Sequence, residues 1–66
     1  EQERKVHAAL ARLSAEHRTA LVLKDMDGWK YEDMAELLEV PIGTIRSRLH
    51  RARLELRQLL EQDETK

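Results

Sequence analysis

Cysteine is absent from the 66 residues, which excludes a disulfide framework and any thiolate metal site and suits a reducing, cytoplasmic setting. Long apolar runs are missing too. None approaches the ~18 residues that cross a bilayer, and no signal-peptide pattern is seen, so membrane insertion is not expected. Aromatics are reduced to one Trp and one Tyr, and proline to one residue. Strand-period segments, internal repeats and low-complexity linkers are also lacking. Catalytic constellations are no better represented. His7, His17 and His50 share no i,i+4 spacing that would set two on one metal, and neither a nucleophile motif nor a phosphate-cradling glycine loop is present. Asp25-Met26-Asp27-Gly28 faintly resembles a calcium loop, but the required ligand spacing through a twelfth-position glutamate fails. The sequence therefore predicts no enzyme, metal, cofactor or small-molecule substrate.

What is present is a series of short segments with helical period. A chain of this length forms one small domain, and a single core of that size supplies about 3–5 kcal/mol, so the helices must pack economically or lean on a partner. It opens Glu1-Gln2, without an initiator methionine and already in helical spacing, and is read as a domain excised from a longer chain. Val6, Ala9, Leu10 and Leu13 recur three and four apart and predict a helix over about 2–13. Ser14 is placed to cap a second helix over 15–26, with Ala20, Leu21 and Leu23, and Val22 beside them, turned inward. Asp27-Gly28 ends it, because glycine turns left-handed without steric cost. Trp29 and Tyr31 stand at the next joint and are expected as half-buried anchors. A third helix over 31–38 is expected to bury Met34, Ala35, Leu37 and Leu38. Glu39-Val40-Pro41 makes a tight turn, and a fourth helix over 42–60 carries the stripe Ile45, Leu49, Ala52, Leu56 and Leu59. Pro41 falls near its first turn, where a missing N–H costs nothing. Residues 62–66 lack apolar side chains and are expected to fray. The reading is an all-α, four-helix domain whose residues 31–57 form a C-terminal helix-turn-helix.

The net charge of −1 hides an asymmetry. Residues 44–57 hold five arginines and one acid, a charge of +4, while the remainder totals −5. A polyanion is felt only within about a Debye length, ~8–10 Å, so placement outweighs the sum. With Leu49 at the centre of the buried side, Thr44, Ser47 and Arg51 lead the opposite side at ~100° per residue, flanked by Arg48 and His50. Arg46 and Arg53 lie near the boundary, from which their long side chains reach outward. An ordinary solvated face mixes signs, with glutamate four residues before a base, but Arg46, Arg48, Arg51 and Arg53 have no acid among them. Arginine donates bidentately to guanine, and Ser or Thr bonds base edges or phosphates. The free N–H groups expected at Ile42, Gly43 and Thr44 suit a phosphate oxygen. Double-stranded DNA is the partner this face predicts.

Tyr31-Glu32-Asp33-Met34-Ala35 and the run from Val40-Pro41-Ile42-Gly43-Thr44 through Ile45-Arg46-Ser47-Arg48-Leu49-His50-Arg51-Ala52-Arg53 resemble domain 4 of bacterial sigma-70-family factors, most of all the extracytoplasmic-function (ECF) group. The upstream Leu13-Ser14-Ala15-Glu16-His17-Arg18 also fits, so the resemblance covers about residues 8–60. It implies binding of the −35 promoter element in the major groove, docking on the β flap of the RNA polymerase core, and capture by an anti-sigma factor. Position by position, Arg46, Ser47, His50 and Arg51 match base-reading places. Gly43, Thr44 and Arg48 match backbone-contact places, with Ile42 and Arg53 grouped beside them. Tyr31 and Glu32 sit where the preceding helix approaches the strand, Glu32 through its N–H rather than its carboxylate. Three departures stand out: Glu39 where the family commonly has glycine, Lys30 where Ser or Thr caps the third helix, and Ser14 in place of a frequent proline.

Two other readings compete. A LuxR-type transcription-factor domain shares the acid-rich third helix and the Gly-Thr-Ile start of the fourth, but dimerises on a further helix for which the tail is too short and polar. A protein-docking module held by an anti-sigma factor is the other; Leu54, expected on the outward side of the fourth helix, fits it.

Overall fold

The computed structural model describes residues 2–64, with side chains from 3 to 62. Its helices are α1 (Gln2–Arg12), α2 (Ala15–Leu21) continuing without a break into a π-helical segment (Val22–Met26), α3 (Tyr31–Leu38) and α4 (Ile42–Glu64). Among the described residues there is no strand. The domain is all-α. At 1.5 Å per residue the 23 residues of α4 run about 35 Å, which accounts for most of the 40 Å long axis. The other helices pack along this rod.

Local chemistry sets the breaks. Ser14 Oγ accepts from the His17 N–H at 3.4 Å and starts α2. The segment expected as one α-helix to residue 26 is α-helical only to Leu21. Beyond it the bonds widen, the Asp27 N–H reaching the Val22 carbonyl at 2.9 Å and the Trp29 N–H the Leu23 carbonyl at 2.9 Å. Gly28, at φ 73°, supplies the left-handed step that lets the chain fold back this way. Lys30 makes no side-chain cap to α3, as its ammonium has no acceptor to offer. At the other end of α3, Glu39 is left-handed at φ 58°, ψ 47°, and the Val40 N–H closes on the Ala35 carbonyl at 3.1 Å. The Pro41 carbonyl then accepts from the Thr44 and Ile45 N–H groups at 3.0 and 3.3 Å, beginning α4.

The core is one cluster. Leu13, Ala20, Leu21, Met34, Ile45, Leu49 and Ala52 are buried in it, and Trp29 and Tyr31 pack half-buried against its edge. Burial of a side chain such as Met34 or Leu49 stabilises by about 1.5–3 kcal/mol, and no buried polar side chain among the described residues opposes it. Leu37 departs from expectation: it is 54% exposed. Met34, Ala35 and Leu38 define the inward direction of α3, and Leu37 lies about 100° away from their centre. α4 runs on through Glu64, beyond the expected helix end at residue 60. No glycine or proline interrupts that stretch, and Arg57 and Glu61 pair at i,i+4 with 3.6 Å between them. Thr65 and Lys66 of the expected tail lie outside the described residues. Leu54 is exposed.

Candidate nucleic-acid interface

The start of α4 is exposed where the apolar stripe demands it. With Ile45, Leu49 and Ala52 fully inward, Arg46, Ser47, His50 and Arg51 face solvent, while Thr44 and Arg48 are half-buried at the margins. Thr44, Ser47, Arg48 and Arg51 border one cavity of about 140 Å³, and Glu16 and His17 from the first turn of α2 close its other side. Among the described residues Arg46, Arg48 and Arg51 make no ion pair.

Arg46 belongs to a second group. Its guanidinium lies 5.9 Å from the centroid of the Tyr31 ring, and Lys24 Nζ lies 4.8 Å from the same ring. Lys24 also donates to the Trp29 carbonyl at 3.2 Å. Cation–π attraction thus gathers the first residue of α3, the π segment and the start of α4. The N–H groups of Tyr31 and Glu32 precede the first bonded amide of α3, Met34 to Lys30 at 3.0 Å, and so point out of the helix start. On α4 the expected trio of free amides is reduced to Ile42 and Gly43, because the Thr44 N–H already donates to Pro41.

Two predicted site residues have internal partners. Ser47 Oγ donates to the Gly43 carbonyl at 3.1 Å, which commits its proton and leaves it lone pairs to accept with. Arg53 donates to Asp25 Oδ1 at 3.0 Å, with both side chains about half-exposed. That hydrogen bond chiefly holds the Arg53 guanidinium above its ordinary range, against slight burial and with a smaller contribution from Tyr31. The structure therefore brings Thr44, Ser47, Arg48 and Arg51 to one cavity and Arg46 to Tyr31, leaves His50 and Glu32 exposed, and ties Arg53 to the π segment. Lys24, Asp25, Glu16 and His17 were not anticipated at these places. Each lies on a helix that gives no local sign of which part of α4 it meets.

A short helix, a left-handed turn and a longer helix presenting unpaired arginines define a helix-turn-helix domain of the DNA-binding class. The family model for Sigma-70, region 4 matches residues 3–56. The RNA polymerase sigma-H factor of Pseudomonas aeruginosa is 45% identical over 53 residues, 80% of this chain and 28% of that protein. The ECF RNA polymerase sigma factor SigE of Mycolicibacterium smegmatis is 47% identical over 55 residues, 83% of this chain and 21% of that protein. The ECF RNA polymerase sigma-E factor of Escherichia coli K12 is 40% identical over 48 residues, 73% and 25% of the two chains. The chain belongs to the sigma-70 region 4 family, on the side of its ECF members. It spans 21–28% of the length of the curated relatives described. The match favours the sigma reading over the LuxR-type alternative.

Proposed function

We propose that this chain reads the −35 promoter element as region 4 of an ECF-type sigma factor, directing RNA polymerase to initiate transcription there. α4 enters the major groove, with Arg46, Ser47, His50 and Arg51 toward base edges. Ile42, Gly43, Thr44, Arg48, Tyr31 and the Glu32 N–H grip the phosphates. Arg53 joins them by exchanging Asp25 for a phosphate. The observation that carries this reading is that Arg46, Arg48 and Arg51 on the outer side of α4 make no ion pair among the described residues. DNA supplies the counter-charge, and counterion release supplies most of the non-specific affinity. The same reading places the chain in the cytoplasm, as a recognition module rather than an enzyme, with the β flap of the polymerase core and an anti-sigma factor as protein partners. No helix among the described residues is long and apolar enough to cross a membrane.

A single module buries about 600–1,000 Å² on DNA, so the isolated domain binds weakly and gains affinity through linkage to the rest of the factor and polymerase. Fluorescence anisotropy at low salt, with a pool of −35-like duplexes and one scrambled duplex, tests the proposal. Arg51→Ala is expected to lose about 1–3 kcal/mol on the preferred duplex and little on the scrambled one. Arg48→Ala is expected to weaken every duplex alike and to flatten the salt slope by about one. Equal binding to all duplexes in both variants and wild type would refute base reading by α4. Complete absence of binding would favour the protein-docking alternative.

A further inference from the structure

Glu55 is the one carboxylate among the arginines of residues 44–57. It stands one helical turn after Arg51, at the i,i+4 spacing where an arginine and a carboxylate meet on a helix surface. They do not pair here. Glu55 Oε1 instead lies 2.6 Å from Nδ1 of His17, 38 positions earlier in the chain on the first turn of α2. Both side chains are partly shielded, 23% and 37% exposed. An ionised carboxylate only accepts hydrogen bonds, so His17 Nδ1 carries the proton and donates. His17 and Arg51 border the same cavity, which sets the observed partner of Glu55 and its helical neighbour on one side of the domain. The helical pair is the weaker competitor, because base-before-acid is the less favourable order along a helix and the Arg51 side chain stands in solvent.

We propose that His17 is a positioning residue for DNA reading: it holds Glu55, keeping the single carboxylate of the recognition segment off Arg51 and back from incoming phosphates. The inference rests on the reading of α4 as the DNA-binding helix and adds to it a residue from outside the helix-turn-helix. Without His17, Glu55 turns to Arg51, and DNA must break that pair before a base can be read. With His17 in place, the Arg51 guanidinium is already free.

The test combines binding with a measurement that needs no DNA. By anisotropy, His17→Ala is expected to weaken binding to the preferred duplex about twofold, the size of one i,i+4 ion pair. Adding Glu55→Gln to His17→Ala restores wild-type affinity, and His17→Asn, which keeps an amide donor near the position of Nδ1, retains it. A loss that Glu55→Gln does not rescue would overturn the proposal, since general loosening of the helix packing gives that result. Without DNA, the Arg51 Nε–H signal by NMR is expected to respond to Glu55→Gln in the His17→Ala background and to stay put in the wild-type background. An Arg51 signal equally indifferent in both would overturn it as well. Should wild type bind no duplex while the Arg51 signal behaves as expected, the DNA reading of α4 falls and the capture of Glu55 by His17 stands.

Discussion

Replacing Glu39 with glycine should make this domain more stable. Glu39 is the non-glycine residue with positive φ among the described residues, at φ 58° and ψ 47°. An L-residue in that basin is disfavoured by about 1–2 kcal/mol, because Cβ crowds the following carbonyl oxygen. Glycine removes that cost but frees the unfolded chain, which takes back about 0.5–1 kcal/mol. The closing bond from the Val40 N–H to the Ala35 carbonyl uses only backbone and survives the change. Removing a carboxylate from the C-terminal end of α3, where the helix dipole is negative, adds about 0.3 kcal/mol at low salt. The net gain is about 0.3–1.8 kcal/mol, which in a domain of this size raises the melting temperature by roughly 2–13 °C. Circular dichroism melts of wild type, Glu39→Gly and Glu39→Ala separate the two contributions. Alanine removes the charge but keeps Cβ, so its gain is small and disappears at high salt, while the glycine gain persists there. A Glu39→Gly melting temperature no higher than that of Glu39→Ala would show that left-handed strain is not stored at this turn.

Two further perturbations probe the core and the surface network. Met34 is fully buried, so Met34→Ala should cost about 2–5 kcal/mol, comparable with all that a core of this size supplies. Its circular dichroism melt should lie near or below room temperature, and a cooperative melt within a few degrees of wild type would refute the burial argument. Asp25→Asn should release Arg53 at a stability cost below about 1 kcal/mol, since the pair is half-exposed. Non-specific DNA binding should then tighten, because Arg53 no longer leaves Asp25 before meeting a phosphate, while the salt slope stays close to that of wild type. Unchanged affinity would mean that Arg53 does not reach a phosphate even when free.

Much of this architecture is legible in the sequence because it is written in local rules. The three-and-four spacing of Ile45, Leu49 and Ala52 fixes which side of α4 is inward, and thereby which arginines face out. Ser14 and Gly28 mark helix boundaries through chemistry confined to a few neighbouring residues. The left-handed turn at Glu39 is signalled by the resemblance, which commonly has glycine at that place, and not by any local rule. Leu37 shows the limit of such reading. Hydropathy alone places it inward, but the direction of an eight-residue helix is set by what it packs against, and Met34 with Leu38 takes the core side.

Tertiary structure decided what the charged side chains do. Arg53 meets Asp25 across 28 positions and His17 meets Glu55 across 38, distances along the chain over which periodicity carries no information. The His17–Glu55 pair exists because α2 packs against α4, and the Arg53–Asp25 pair because the long Arg53 side chain reaches across to the π segment. The sequence by itself determined a helix-turn-helix with an arginine-bearing recognition helix, since backbone hydrogen bonding and the apolar stripe are local and cumulative. Which of those arginines stand free and which are already engaged depends on helix placement at the scale of a single hydrogen bond. Only the packed structure supplies that.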